Sequence, residues 1–548
     1  MLPGNGQCLN GTGKPQVPNL VNAIPTDDKR GSWEPLRSHS PESLYNVSPV
    51  CSHTHAGVSY ICDRKPSLRR RTIQYSALLV AVPLALMTWA TLWQGGFPQS
   101  YTDILKLEID LPQHQWEDTQ LTAEGKLVQV QHNGELKFVD WGRDAGEGYI
   151  RFPDHLWGQG FNSIFQEGIL YAQLAHLANR SYIFEDYVWS QTTLPYTLRN
   201  AALRLSRTPL NALISRFMAG GDVSTSPYSK KPSHNSISAR YYEYICPSTL
   251  SERYRVTLSA NDAPHFADGL SQMAWWVNRV KEVGKGKRCV DIQESGIRGT
   301  VGAQGKRVFD NQFFGSKNRI GQLVPQLIKS PVLQRFSWSP LVVDVVERTT
   351  HALGTKSPET SIDSTGTRNT IQGLLAIDLT WGDCAKPSQL NRGFTGFNNA
   401  DAMMDKFFDE EAVESSSPEG RAEVDGYHLK RCNPSTDQLV QRAREVSVDW
   451  SRASEHTPLT KVVLISDDLS AQHLELSSAL EKEGFEILDA DQRVRKGLGR
   501  IEDVAVAVDM ALAARAEDFL GNGFSPLSGN VALLRMARGY EGEANRLV

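Results

Sequence analysis

The residues best suited to chemistry lie near the C-terminus, in DMALAARAEDFLGNGFSPLSGNVALLR, Asp509 to Arg535. Val504, Val508 and Leu512 recur every fourth residue, which predicts a helix with one apolar stripe. Asp518-Phe519-Leu520 reads as a short buried strand stopped by Gly521-Asn522-Gly523. Ser525-Pro526 has the form of an N-cap followed by proline at the first helical position, opening a second helix through Val531 and Leu534. Strand, glycine turn and helix start make an anion cradle, where backbone N–H groups and the positive helix end face one spot. An ordinary αβα connection carries the same pattern, so these residues alone leave both readings open.

A second glycine loop, Gly158-Gln159-Gly160-Phe161-Asn162-Ser163, leads into a helix with Leu170, Leu174 and Leu177 on one face. A strand, Tyr182-Ile183-Phe184, follows, which is the order of an α/β unit. His155 and His176 have the chemistry of a general base, although His176 lies within the helical stretch and reads as a packed residue. Asp489-Ala490-Asp491 after a strand is either a divalent-cation ligand pair or two solvated carboxylates. No CxxC or Cys/His spacing points to zinc, and no metal is assigned.

The elements that must carry these residues are spread along a long chain. At 548 residues, 40% hydrophobic and with net charge −4, it suits two or three domains and gives no sign of nucleic-acid binding. Residues 1–74 hold nine Lys/Arg against five Asp/Glu, are rich in Pro, Ser, Gly and Asn, and predict a disordered cytosolic tail. Tyr75–Trp93 (YSALLVAVPLALMTWATLW) carries no charge over 19 residues, enough to span a bilayer. Its aromatic ends suit the two interfaces. Arg64, Lys65, Arg69, Arg70 and Arg71 precede it and the first basic residue after it is Lys106, which predicts a signal-anchor at 75–94 with all that follows lumenal.

Beyond the span, residues 95–145 read as a stem with a hairpin around His132-Asn133-Gly134. Residues 146–355 form an N-terminal Rossmann-like domain, 356–369 a linker, and 370–548 a C-terminal domain with strands at Leu374–Ile377, Lys461–Asp468 and Phe485–Leu488. Two doubly wound α/β domains facing a cleft are therefore expected. Cys246, Cys289, Cys384 and Cys432 fall on the lumenal side, and their local order favours Cys246–Cys289 and Cys384–Cys432. Asn179-Arg180-Ser181 is a glycosylation sequon there.

The pieces GQGFNSIFQEGILYAQLAHLANRSYIFEDYVW, WSPLVVDVVE, YHLKRC, VVLISDD and DMALAARAEDFLGNGFSPLSGNV, in that order across most of 146–548, resemble fungal GDP-fucose protein O-fucosyltransferase-like glycosyltransferases. The resemblance implies a GT-B fold and a type II Golgi or endoplasmic reticulum protein. It also implies metal-independent transfer of fucose from GDP-fucose to a protein or glycan hydroxyl with inversion. By the same resemblance Asn162, with Gly160 before it, falls on the position close to the transferred sugar and acceptor. Asp509, Asn522, Ser525 and Ser528 fall on the element that binds nucleotide and phosphates.

The family's His-x-Arg-Arg-Gly-Asp element departs from its pattern here. Gly382 and Asp383 match, but Asp378 stands for the histidine, and Thr380 and Trp381 for the arginines. Arginine forks stabilise a departing diphosphate, and loss of one preorganised donor costs about 100- to 1,000-fold in rate. Pro526 also replaces a serine of the usual Ser-Ser pair and offers neither hydroxyl nor N–H. Lys386, Arg392 and Arg515 are candidates to restore positive charge. Three functions remain: a fucosyltransferase, a catalytically inactive GT-B relative serving as a lumenal binding or scaffold protein, and a transferase using another nucleotide sugar.

Overall fold

The computed structural model describes residues 99–548 except 122–126, 132–135, 139–147, 154–159, 189–195, 221–235, 247–254, 295–306, 353–369, 380–393, 401–430, 453–457, 467–470, 489–503 and a few isolated positions. The tail, the Tyr75–Trp93 stretch and the 356–369 linker lie outside the described residues. Among the described residues no helix is long and apolar enough to cross a membrane.

Helix α1 (Gln99–Ile109) is followed by an antiparallel three-stranded sheet of β1 (Trp116–Leu121), β2 (Leu127–Gln131) and β3 (Leu136–Phe138). The β2–β3 pair is the hairpin expected from the Asn133-Gly134 turn. The first large sheet then begins with β4 (Gly148–Arg151), α2 (Phe161–Leu177), β5 (Arg180–Phe184) and β6 (Ile237–Ser238). It ends with β7 (Arg255–Ser259), α3 (Gly269–Val283) and β8 (Cys289–Gln293). Its order is β6-β5-β4-β8-β7, all parallel.

Helix α4 (Pro340–Ala352) leads to the second sheet. There β9 (Ile371–Asp378), α5 (Thr436–Arg452), β10 (Lys461–Ile465), α6 (Ala471–Lys482), β11 (Glu486–Leu488), α7 (Ala505–Arg515), β12 (Ala516–Gly521), α8 (Pro526–Ala537) and β13 (Asn545–Leu547) follow in turn. The order is β11-β10-β9-β12-β13, again all parallel. The class expected from the sequence, mixed α/β with two parallel sheets, is thus what the chain forms.

Parallel strands joined through helices are covered on both faces, which is why β9 reads as an almost unbroken apolar run. Leu375 and Ile377 of β9 pack with Leu439, Ala443 and Val446 of α5 and Leu476 and Leu480 of α6. Leu374 and Ala376, on the other face, join a core that holds α7 and α8 and continues into α2 and the first sheet. That core makes one continuous apolar body of both sheets and fixes where the starts of α2 and α8 can lie.

Arg535 closes the second sheet from within. Wholly buried on α8, it donates to Asn545 Oδ1 (2.8 Å) and to the carbonyls of Ala544, Ala513, Glu517 and Ala516. Its guanidinium lies 4.2 Å from the Tyr540 ring centroid. Replacing Arg535 by Met is expected to strip these buried acceptors of a shared charged donor and to cost at least about 3 kcal/mol. Urea unfolding would read this as a lower midpoint at unchanged slope.

The last turn of α1 docks on the first half. Glu108 accepts from the Ser238 hydroxyl and from Arg240 Nη1 (3.1 Å), and Asn211 Nδ2 donates to the Leu107 carbonyl (2.7 Å). The Ser238 N–H donates to His114 Nε2 (3.0 Å), so Nδ1 carries the proton and donates to the Glu108 carbonyl (2.6 Å). Burial lowers the His114 pKa to about 4. Nearby, burial and then the Glu108 charge raise the Asp186 carboxyl to about 7, and its Oδ1 is sealed from solvent without a hydrogen-bond partner. In the unfolded chain Asp186 titrates near 3.8. Its contribution to stability is therefore present at acid pH and lost as pH rises through about 7. Asp186→Asn should raise the melting temperature more at mildly alkaline than at mildly acidic pH.

Candidate functional site

In a doubly wound sheet a ligand crevice opens at the carboxyl ends of the strands, where the strand order reverses. In the second sheet the chain leaves β9 toward β10 and β11, then returns to β12 on the other side. The reversal falls between the ends of β9 and β12. Asp378 is the last residue of β9, and Gly521 ends β12.

The turn after Gly521 is built from its own side chains. Ser525, extended at φ −95° and ψ 123°, caps α8 by accepting the Ser528 N–H at 3.4 Å, with Pro526 at the first helical position. Asn522 Oδ1 accepts from the Phe524 N–H (2.9 Å), and Asn522 Nδ2 donates to the Cys432 carbonyl (3.0 Å). The Ser528 hydroxyl accepts from the Asn522 N–H (2.8 Å) and donates to Asp378 Oδ2 (2.5 Å). A Cβ on Gly521 would stand 2.7 Å from that hydroxyl oxygen, so only glycine allows the approach. Asn398 supports the turn from outside: its Nδ2 donates to the carbonyls of Gly523 (3.0 Å), Ser525 (3.0 Å) and Asn522 (3.4 Å). Asp378, Asn522, Ser525, Ser528 and Asn398 are all buried.

The other glycine loop reaches the same place through its helix. Gly160 is the exposed, extended N-cap of α2 and has no side-chain cap. The Asn162 carbonyl accepts from Asn530 Nδ2 of α8 (2.9 Å), and Gln166 Nε2 donates to the Pro526 carbonyl (3.2 Å). Gly396, at φ +56°, lets the backbone before Asn398 pass the Gln166 amide, which would lie 2.5 Å from an added Cβ. The side-chain oxygens of Asn162 and Asn530 are buried and accept no hydrogen bond.

The first sheet has its own reversal, between β4 and β8, and side chains fill it. Arg307 forks onto Glu167 of α2 (2.8 and 3.1 Å) and also donates to Glu294 just after β8 (2.9 Å). Tyr171 donates to the other Glu294 oxygen (2.6 Å), which also takes the Val308 N–H (3.0 Å). Burial raises the Glu294 carboxyl against the opposing pull of Arg307, with the Glu167 carboxylate adding to the rise, and burial raises the Tyr171 hydroxyl well above its ordinary value. These groups hold α2 in position, and with it Asn162.

Of the residues singled out in the sequence, Asn522, Ser525 and Ser528 come together, and Gly160 and Asn162 lie at the α2 start that packs on α8. Asp509 is half-buried in the second turn of α7. Gly382, Asp383, Thr380, Trp381, Lys386, Arg392, His155, Asp489 and Asp491 lie outside the described residues. Arg515 is half-buried at the end of α7 where β12 begins, roughly 17 Å of strand from the turn. It therefore cannot supply the cradle's charge. His176 packs edge-on against Phe217 (5.6 Å), as a helical core residue does.

Cys246–Cys289 is a disulfide, and Cys432 is disulfide-bonded too, while its expected partner Cys384 lies outside the described residues. Asn179 of the sequon is exposed at φ 57°, beyond the end of α2, with Arg180 and Ser181 buried in β5. Among the described residues no group of acidic, histidine or cysteine side chains could hold a metal. The supporting residues Asn398, Asn530, Gln166 and Arg307 escaped the sequence reading. Only the paired Asn398-Asn399 after a glycine-phenylalanine turn offered a signal.

No protein-family model matches the chain, and no curated protein matches it. Among solved structures, POFUT1 in complex with GDP-fucose is similar over 73% of this chain and 98% of that chain, at 13% identity and a TM-score of 0.40. POFUT1 in complex with GDP is similar over the same shares, at 12% identity and a TM-score of 0.39. A point mutant of Arabidopsis thaliana FUT1 in complex with GDP is similar over 80% of this chain and 73% of that chain, at 10% identity and a TM-score of 0.32.

The turn's dependence on Asn398 is open to measurement. Asn398→Ala removes the amide that serves three buried carbonyls and is expected to destabilise the protein by about 1–3 kcal/mol. Hydrogen exchange should quicken at Phe524 and Ser528 relative to the rest of the sheet.

Proposed function

We infer that the protein is a glycosyltransferase-like protein of the GT-B class that holds a nucleotide sugar, GDP-fucose first among the candidates, at the ends of β9 and β12. The observation carrying this reading is the junction of the two glycine-loop helices. Residues 360 and 368 positions apart, Gln166 with Pro526 and Asn162 with Asn530, bond across it. The α2 start is thus beside the helix start that would receive phosphates. In this reading Ser525, Ser528, Asn522 and the Gly382-Asp383 segment hold the nucleotide, and Asn162 orients sugar and acceptor. The acceptor oxygen bonds to the anomeric carbon as the bond to the diphosphate breaks from the opposite face. The diphosphate departs with that electron pair, and no metal is required.

The reading extends to topology, with Tyr75–Trp93 as a type II signal-anchor and the α/β region lumenal in the Golgi or endoplasmic reticulum. The Cys246–Cys289 disulfide suits such an oxidising compartment. Protease added to intact microsomes should then spare the C-terminus, and cleavage there would contradict the orientation.

A second reading, a non-catalytic relative that binds without transfer, is favoured by one observation: the Ser528 hydroxyl already serves Asp378. Calorimetry of the full chain with GDP and GDP-fucose, followed by assay of fucose release or transfer, separates the two. Saturable binding with turnover supports the enzyme, and saturable binding without turnover supports the relative. No heat of binding at millimolar nucleotide, at acid or alkaline pH, sinks the nucleotide-sugar reading.

A further inference from the structure

We propose that Asn179 carries an N-linked glycan, added to the chain before the first sheet closes. The proposal rests on reading the α/β region as lumenal, which the Cys246–Cys289 bridge supports on its own account. Asn179-Arg180-Ser181 is the one Asn-x-Ser/Thr sequence after Trp93 whose middle residue is not proline. In the step concerned, the Asn179 side-chain nitrogen bonds to the anomeric carbon of a lipid-linked oligosaccharide diphosphate. The bond from that carbon to the diphosphate breaks with its electron pair on the leaving group, and the nitrogen gives up one proton.

The turn that holds the sequon suits such a load. Asn179 is exposed and follows Ala178, the C-cap of α2, with its N–H bonded to the His176 carbonyl (3.0 Å). At φ 57° its backbone is left-handed, a position after a helix where glycine and asparagine are the residues usually found. Strand β5 begins with the next residue, so the turn lies at the amino end of the first sheet. Crevices open at the carboxyl ends of the strands. A bulky hydrophilic chain on Asn179 therefore extends into water and leaves those ends clear.

The other two members of the sequon set the order of events. Arg180 is buried and donates to the carbonyls of Gly284 (2.6 Å), Lys287 (3.2 Å), Tyr149 (3.3 Å) and Arg288 (3.3 Å). Ser181 is buried too, opposite Tyr149 in the parallel ladder of β4 and β5. A transferase must reach the asparagine together with the hydroxyl two residues on. In the folded protein the residue bearing that hydroxyl is inside the sheet. Transfer therefore takes place on the extended chain, before β5 docks beside β4, and the finished fold is closed to it.

The test is expression of the full chain in a eukaryotic secretory host as wild type, Asn179→Gly, Ser181→Ala and Ser181→Thr. Gel mobility before and after peptide-N-glycosidase treatment, with mass spectrometry of the Asn179 peptide, reads the modification. Wild type and Ser181→Thr are expected to shift by one glycan on treatment, and Asn179→Gly and Ser181→Ala to show no shift. Glycine keeps the left-handed turn, so Asn179→Gly and the wild-type peptide mass carry the test if Ser181→Ala fails to fold. Folded protein from a bacterial host, offered oligosaccharyltransferase and a lipid-linked donor, is expected to stay bare, and its modification would overturn the order of events. A bare Asn179 in a protein whose C-terminus is protease-protected in microsomes overturns the glycan and leaves the orientation standing. Asn10-Gly11-Thr12 and Asn46-Val47-Ser48 precede the span. Glycans on these two, with Asn179 bare, overturn the orientation and the inference together.

Discussion

A turn buried at the junction of two sheets must satisfy its own backbone, because water cannot do so. That requirement governs the segment from Gly521 to Ser528. Three of its carbonyls are served by one amide, Asn398, and two of its N–H groups by the side chains of Asn522 and Ser525. A third N–H, that of Asn522, is taken by Ser528. Such a network commits the turn's polar groups largely to one another, and it reaches the end of β9 through the Ser528 hydroxyl and Asp378. Elsewhere the structure serves the turn: Arg535 ties β12, α7 and β13 into one block, and the core beneath α8 is continuous with that beneath α2.

The two sheets use the same architecture for different ends. Each reverses its strand order beside a central strand, β4 in one and β9 in the other. In the first sheet the reversal is filled by Arg307, Glu167, Glu294 and Tyr171, whose charges are paired and whose hydrogen bonds are short. Paired groups of this kind hold geometry and are poor at exchanging protons with a substrate. The first half is thus an anchor for α2, and the second half carries the buried polar turn.

Much of this was legible in the residues because it is local. The β12 strand, the Ser525 cap and the proline after it follow from a few adjacent side chains, and the alternation of strand and helix follows from apolar runs. What was not legible depends on partners far away in sequence. Asn398 reaches a turn more than a hundred residues on, and Asn530 meets a carbonyl at a separation of 368. Nothing in the periodicity of either segment marks its amide as structural. Asp378 could be seen to depart from a pattern, but its partner Ser528, 150 residues later, emerged only when β9 and β12 lay side by side. Arg515, attractive by proximity in sequence, fails because a strand separates it from the turn it would serve.

The Cys246–Cys289 bridge has a bearing on how the protein would respond to its surroundings. Cys289 begins β8, at the amino end of the first sheet, whereas the crevices open at carboxyl ends. The bridge closes a loop of 43 residues that contains β7 and α3, a constraint of roughly 4 kcal/mol by chain entropy. A reducing environment would thus loosen this margin of the fold, and it would also open the bridge at Cys432, whose carbonyl holds Asn522 of the polar turn. One chemistry, oxidation of cysteine pairs, therefore acts at both ends of the strands, on the sheet margin through Cys289 and on the support of the polar turn through Cys432.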